Sequence, residues 1–405
     1  MKFNKIKLIK TFLFSILLGI SSVYIFQKVQ SSSIKANAPT AKNGLLDSTG
    51  WNFEKNGFLK LDGYWEFYWL KLYNPEDFKN MDLSDLNSKE TANQNLEKIP
   101  SIWNSYTKDG IELGGNGYAT YRIKIKIKQI NQTYAIKILD IATAYQVWIN
   151  GESLGKAGLI GKTKEEMKPS YKSKVIEFKP NKEFVEIIFQ ISNFHHSKGG
   201  LWNFIEFGFA ETIENSRESQ TGFEFFMFGS LSIMAFYHFG LYILRKKDKS
   251  TFYFGLICLT ISLRILLTGE RFLFNFLDDS MYWSSLVKLE FMTVYLTTPF
   301  FVLFLESMYP EDSVKIISKI TLTAGIIFSI ATLFIDTTIS TGFVRFFQLI
   351  LLFLIFYTFY ILTIINIRKR EGAVWMALGL LIFLITLTND LLYLNNIIYT
   401  GFLFP

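Results

Sequence analysis

Residues 342–367 read GFVRFFQLILLFLIFYTFYILTIINI, and Arg345 is the one ionised side chain among them. About 20 apolar residues are what a helix needs to cross a hydrocarbon core ~30 Å thick. Only an element that satisfies its own backbone hydrogen bonds is tolerated there, so the run predicts a transmembrane helix. Working outward, similar runs fall at about 222–244, 251–268, 284–307, 315–335 and 373–394. One more, from Ile9 to Phe26, stands alone at the N-terminus behind Lys2, Lys5, Lys7 and Lys10. Nearly two hundred mostly polar residues lie between it and the others.

The chain has 405 residues, 50% hydrophobic and 17% aromatic, with a net charge of +7, a balance that fits a soluble half joined to a helical bundle. Its basic residues sit beside the apolar runs. That is topological charge, and no nucleic-acid partner is expected from it. Cys258 is the sole cysteine and lies inside an apolar run, so the polar half has neither a disulfide nor a thiolate metal site. The first acidic residue is Asp47, and no small-x-small site closes the Ile9–Phe26 run. Residues 1–30 are therefore read as a signal or anchor helix, an uncleaved anchor being favoured over a cleaved peptide, followed by a linker over 31–43.

Loop charges set the orientation. With residues 31–221 outside, the inner loops carry Arg245-Lys246-Lys247-Asp248-Lys249, the stretch from Tyr309 to Lys319, and Arg368-Lys369-Arg370. The outer loops, 269–283 and 336–341, carry Arg271 as their only Arg or Lys. This is the positive-inside pattern. Thr400 to Pro405 reads as the first turn of a seventh apolar helix, cut short.

The polar half is read as β. From Tyr121, apolar Tyr121, Ile123, Ile125 and Ile127 alternate with Arg122, Lys124, Lys126 and Lys128, the period-two signature of a half-buried strand. Tyr134, Ile136 and Ile138 repeat it, as do Tyr145, Val147 and Ile149, and Val185, Ile187, Phe189 and Ile191. Asn150-Gly151 supplies the positive φ angles of a tight hairpin. Short strands with turn signals predict an antiparallel sandwich or jelly roll over 44–211, ahead of a membrane bundle over 222–405. The fold class is thus mixed, an all-β jelly-roll sandwich followed by an all-α polytopic bundle. The short stretch from Phe209 to Thr221 leaves little slack between the halves.

Several motifs occur in a telling order: Leu61-Asp62-Gly63-Tyr64-Trp65-Glu66-Phe67-Tyr68-Trp69, Ile99-Pro100-Ser101-Ile102-Trp103, Gly117-Tyr118-Ala119-Thr120-Tyr121-Arg122, Val147-Trp148-Ile149-Asn150-Gly151, and Ser192 through Trp202. Together they resemble the extracytoplasmic domain of the bacterial seven-transmembrane receptors with diverse intracellular signalling modules. The same order is similar to the galactose-binding-like jelly roll of family 2 glycoside hydrolases. Leu263-Arg264-Ile265-Leu266-Leu267-Thr268-Gly269-Glu270 and Asn389-Asp390 resemble the receptor family's membrane bundle. The resemblance covers about 44–405 and implies a receptor in the bacterial cytoplasmic (inner) membrane, with residues 31–221 outside the cytoplasm. The chain shows none of the kinase or cyclase output domains that such receptors usually carry.

Two groups of side chains stand out as candidates. Arg264, Glu290, Arg345 and Asp390 fall in the outer leaflet of their spans, where each ionised group costs about 2.5–3.5 kcal/mol at the bilayer centre. They are read either as an ion-pair cluster beneath the exported domain, with Arg264 and Arg345 facing Glu290 and Asp390, or as side chains that snorkel independently to the surface. Asn193, His195, His196 and Trp202 set polar groups beside an aromatic face, a combination suited to a sugar, with Asn104 and Arg122 added by their place in the resembled motifs. Adjacent His195 and His196 point to opposite faces of a strand, so they are not read as a metal pair. His238 reads as a packed histidine, and Pro299 as a helix kink.

No carboxylate pair has glycosidase spacing, and no phosphate loop, nucleophile elbow or His-Glu-x-x-His site occurs, so neither an enzyme nor a cofactor is expected. The leading expectation is a sensor that binds a small ligand, carbohydrate being the favoured class, and biases its helix bundle. The alternative is a membrane binding or scaffold protein that acts with a separate signalling subunit or is a decoy without output. A transporter would show repeated halves and broken helices at the midplane, and neither is seen.

Overall fold

The computed structural model describes residues 38–84, 96–277 and 279–394. The expected N-terminal anchor over 1–30, most of the expected linker and the expected start of a seventh helix at Thr400 to Pro405 lie outside these described residues.

The first half is a sandwich of two sheets. Strands β1 (Leu45–Asp47), β2 (Leu59–Leu61), β3 (Gly63–Trp69) and β4 (Leu96–Ile99) precede a small hairpin of β5 (Thr107–Lys108) and β6 (Ile111–Glu112). After these come β7 (Gly117–Lys126), β8 (Tyr134–Ile138), β9 (Ala144–Ile149), β10 (Glu152–Ala157), β11 (Lys174–Phe178), β12 (Phe184–Asn193) and β13 (Ile205–Phe209). One sheet runs β10-β9-β12-β7-β3-β4, with β1 added parallel to β7, and the other runs β11-β8-β13-β2.

The alternation read from Tyr121 is the core pattern. Tyr121, Ile123 and Ile125 on β7 are fully buried against Ile136 of β8, Val147 of β9 and Phe189 of β12. Asn150 and Gly151 take φ 52 and 88, the paired positive angles of a tight β9–β10 turn. Trp65 and Trp103, from the motifs that carried the resemblance, are core side chains at 0% exposure. A short helix, α1 (Phe53–Asn56), caps one end, and α2 (Pro75–Ser84) sets Phe78 over the outer face of the larger sheet.

On β8 every residue is buried. Tyr134, Ile136 and Ile138 point into the sandwich, while Ala135 and Lys137 point outward, where a period-two strand meets water in a free domain. Here the outward face is covered by α3 (Ala210–Leu244), whose Ala210 and Ile213 pack on Ala135. Helix α3 follows β13 without a break. Its 35 residues span about 52 Å at 1.5 Å per residue, far more than a ~30 Å hydrocarbon core. The residues between the sandwich and the first apolar run are thus the polar opening turns of a single rigid helix.

The second half continues with α4 (Lys249–Leu267), α5 (Phe272–Phe276), α6 (Asp279–Met308), α7 (Lys315–Phe334), α8 (Thr337–Ser340), α9 (Phe343–Ile367) and α10 (Ala373–Leu394). Five segments among the described residues are long and apolar enough to cross a membrane: 210–244, 249–267, 282–308, 315–334 and 337–367. The protein is a multi-pass membrane protein. Helix α3 packs on α4, α4 on α6, α6 on α7, and α9 on α10. Pro299 sits within α6 and leaves the carbonyl of Tyr295, four residues earlier, without its helical donor. Gly325 of α7 comes so near that carbonyl that an added Cβ would stand 2.5 Å from it.

Candidate functional site

The chemistry of this chain gathers where the sandwich meets the ends of the helices nearest to it. The turn from Thr268 to Arg271, between α4 and α5, is the pivot. Gly269 has φ 56, a left-handed conformation that favours glycine, and a Cβ there would lie 2.1 Å from a Glu224 carboxylate oxygen and push that side chain aside. Arg271 has φ 55, a conformation sparsely used by residues with a side chain. The turn thereby presents Glu270 and Arg271 to the sandwich as neighbours.

Arg271 is buried and fully engaged. Its Nε and Nη2 donate to Asp140 Oδ2 at 3.0 and 2.5 Å, and Nη1 donates to Glu290 Oε2 at 3.1 Å and to the Leu267 carbonyl at 3.2 Å. Its guanidinium lies 4.5 Å from the ring centre of Tyr171 and 5.3 Å from that of Phe274. Asp140, just past β8, accepts in addition from Trp202 Nε1 at 3.0 Å and from Asn203 Nδ2. Burial disfavours the charge on Arg271, but the carboxylates of Asp140 and Glu290 outweigh it and raise its pKa further. One cation thus ties a carboxylate of the sandwich to a carboxylate of α6.

Glu270 makes the second tie. Its Oε1 is 2.6 Å from Lys137 Nζ on β8, and Oε2 accepts from Ser173 Oγ at 2.8 Å, with Arg217 Nε of α3 at 3.6 Å. Its backbone N–H donates to Glu224, whose Oε1 also accepts from Gln220 at 2.9 Å. Glu206 lies opposite Lys137 on β13, where burial raises its pKa above the ordinary carboxylate range. Around these charges runs an aromatic seam: Tyr171 packs on Phe274 and on Trp283, with ring centres 5.8 and 5.3 Å apart.

The loop after β12 makes the third tie. Asn193 is fully buried and staples the loop: its Nδ2 donates to the carbonyls of His196, Lys198 and Gly115, while its Oδ1 accepts from the His196 N–H. Asn104 does likewise from the other side, bonding the Ser197 carbonyl at 2.9 Å and the Gly199 N–H at 3.0 Å. The stapled loop sits on the α8–α9 junction. The Ser197 N–H donates to Thr341 Oγ1 at 3.0 Å, and Thr338 Oγ1 donates to the Phe194 carbonyl at 3.1 Å. His195 stacks edge-on against Trp283, and Lys164 pairs with Asp336 at 3.0 Å. Burial holds His196 neutral, its pKa pushed down to about 3, with its ring against Trp202.

Asn104, Asn193, His195, His196 and Trp202 are therefore together, on the face of the sandwich that meets the bundle. Arg122 is apart from them, on the outer face of the larger sheet, bonded to Glu186 and Glu66 beneath Phe78. In the bundle, Arg264 Nη1 lies 3.3 Å from the Glu290 carbonyl and 3.5 Å from Thr293 Oγ1, while the Glu290 carboxylate turns to Arg271. Arg345 stands one turn beyond Thr341. The Asp390 side chain lies outside the described residues. Lys137, Asp140, Tyr171, Glu270 and Arg271 were missed as a group by sequence reasoning, although Arg271 had one signal, its solitary positive charge in the outer loops.

Residues 220–405 match the family model described as 7TM diverse intracellular signalling. No curated protein matches the chain in sequence. Among solved structures, the chain is similar to the Ruminococcus gnavus beta-glucuronidase, at 14% identity and a TM-score of 0.26 over 37% of this chain and 28% of the enzyme. An uncultured Clostridium sp. beta-glucuronidase gives 12% identity and a TM-score of 0.27, covering 37% of this chain and 28% of that one. A GH2 beta-galacturonidase from Eisenbergiella tayi gives 11% and 0.25, covering 37% and 24%. The chain thus spans less than a third of the length of these enzymes.

Proposed function

We propose, from the premise that residues 220–405 form a membrane domain of the 7TM diverse intracellular signalling family, that this chain is a sensor of the bacterial cytoplasmic membrane. In this reading the sandwich lies outside the cytoplasm, binds a small molecule, and passes its state to the helices through the Asp140–Arg271–Glu290 bridge. That bridge is the observation on which the reading rests. Loop charge supports the orientation: Arg245, Lys246 and Lys247 cluster at the end of the helices remote from the sandwich.

Coupling needs an element with two arrangements that a ligand binds unequally. The three ties provide its mechanical part, because a shift of the loop after β12, of β8 or of Tyr171 moves α3, α4, α6 and α8 together. Asn104, Asn193, His195, His196 and Trp202 serve that coupling as the side chains that shape and seat the loop. Carbohydrate is the ligand class we put forward, for the hydrogen-bonding and aromatic character of this half of the chain. The inner connections at 245–248, 309–314 and 368–372 are too short to hold an enzyme. Output therefore passes through the inner helix ends to a separate signalling subunit or a further segment.

The test is hydrogen exchange of the full chain in nanodiscs, titrated with a panel of mono- and oligosaccharides. A ligand is expected to change protection in the sandwich and also in 268–276 and 309–314. In Arg271→Gln the sandwich response should persist while the helix-end response is lost. A wild-type response confined to the sandwich would refute the coupling, and silence across the panel would remove carbohydrate as the ligand class.

A further inference from the structure

The charged side chains where sandwich and bundle meet have partners across the contact and others on their own side. Arg271 bonds Asp140 across it and Glu290 of α6 behind it. Asp140 holds Trp202 and Asn203 of the sandwich as well. Glu270 faces Lys137 and Ser173, with Arg217 of α3 at 3.6 Å. Helix α3 is tied to the same turn, because Glu224 accepts the Glu270 N–H at 3.1 Å. Parting the two halves would thus leave each of these charges a partner, and it is the stranded buried charge that makes separation costly.

Lys137 completes the set. Its side chain is 4% exposed and pairs with Glu270 at 2.6 Å, and on its own side the sheet register offers Glu206. Glu206 of β13 stands directly opposite Lys137 of β8 on one flank and Lys60 of β2 on the other. Their chain neighbours Ile136, Ile138, Ile205, Phe207, Leu59 and Leu61 are buried in the sandwich core. Lys60, Glu206 and Lys137 therefore leave the same outer face of the smaller sheet, with cross-strand Cβ atoms about 5 Å apart. A lysine spans that gap by rotating its flexible four-carbon stem. Oε2 of Glu206 is buried with no hydrogen-bond donor among the described residues. A buried acceptor left unfilled favours any arrangement that brings it a donor.

We propose that the contact has a second, undocked arrangement in which Lys137 exchanges Glu270 for Glu206 and Glu270 turns to Arg217. Glu206 sets the balance, because it bonds Lys137 only once the turn at 268–271 has withdrawn. Lys60 opposes it by competing for the same carboxylate from β2. The exchange supplies the bistable element that coupling requires, and it rests on the reading of this contact as the coupling site.

The experiment follows the full chain in nanodiscs at neutral pH with no saccharide present. It reads the acetylation rate of Lys137 by mass spectrometry, relative to exposed Lys156, alongside hydrogen exchange at 268–276. Glu206→Gln should slow both by roughly two- to fivefold, the worth of one ion pair in contact with water. Glu270→Gln should speed both, with the sandwich strands keeping their protection. Lys60→Gln should also speed both, and Glu152→Gln, which removes an exposed carboxylate from β10, should change neither. Faster labelling in Glu206→Gln, as expected of a carboxylate that merely supports the contact, would overturn the exchange, and so would rates equal to wild type. Should Glu206→Gln fail to fold, Lys60→Gln decides alone, and slower or unchanged labelling there overturns the proposal. A saccharide panel added afterwards separates the two readings. Opposite shifts in Glu206→Gln and Lys60→Gln with no saccharide response would keep the exchange and remove sensing; a saccharide response with both variants at wild-type rates would do the reverse.

Discussion

The end of the helix bundle against the sandwich, called outer here, and the end remote from it, called inner, are both held by arginine–carboxylate pairs, and they are held differently. At the outer end, Arg271 and Asp140 are each buried, with side chains 9% and 8% exposed. At the inner end, Asp312 is enclosed at 1%, but its partners Arg368 and Arg370 remain 53% and 33% exposed. Arg370 also reaches Glu311. The outer pair bridges domains through a desolvated contact, so removing one partner strands a charge in a poor solvent. The inner set ties the α6–α7 loop to the α9–α10 loop, and water can replace whichever cation is lost. The outer end is built to be all-or-none, the inner end to be adjustable.

That contrast can be broken at its strongest point first. Arg271→Ala should destabilise the chain in micelles by about 3–5 kcal/mol, the usual cost of leaving a buried charge unpaired. Asp140→Leu combined with Arg271→Met should cost less than Arg271→Ala alone. If the double replacement is as damaging as the sum of the single ones, the pair is not a coupled unit.

Lys137→Met comes next, at about 2–3 kcal/mol, because Glu270 retains Ser173 and Arg217 as partners. Increased hydrogen exchange should be confined to β8, the opening turns of α3 and residues 268–276. Uniform exposure of the whole sandwich would mean that Lys137 supports the domain itself and not its docking.

The third test is acidity. His196 is neutral when folded, with its pKa lowered to about 3 from an ordinary value near 6.5. The unfolded state therefore binds more protons between those values, and stability falls as pH falls through that window. At pH 5 the loss is about 2 kcal/mol relative to neutral pH, and His196→Gln should flatten that slope. An unchanged slope would show that the loop is already open to water. The smallest effect sharpens the comparison from the inner end. Arg370→Ala should cost about 1 kcal/mol or less and weaken with added salt, unlike Arg271→Ala.

Much of the architecture was legible because it repeats. A strand half-buried in a sandwich must alternate, and Tyr121 to Ile127 alternate; a span must be apolar throughout, and 342–367 nearly is. The site was less legible. Asn193, His195, His196 and Trp202 stood out as polar and aromatic groups in a loop, yet what they face depends on Thr338, Thr341 and Trp283, far along the chain. Asp140 and Arg271 are 131 residues apart, and each alone is an ordinary charged residue at the end of an element. The outward residues of β8, Ala135 and Lys137, carry the pattern of a face open to water; only the helix laid across them buries them.

What the sequence determined by itself is the division of labour: which residues fold as sheets, which form apolar helices long enough to cross a membrane, and which loops between them carry the basic charge. Those follow from periodicity, apolar length and loop charge, all local along the chain. The tertiary structure alone decided that Lys137, Asp140, Glu270 and Arg271 meet, and that the loop after β12 rests on α8 and α9. Pairing between distant charges is a property of three-dimensional approach and desolvation, and one-dimensional order carries neither.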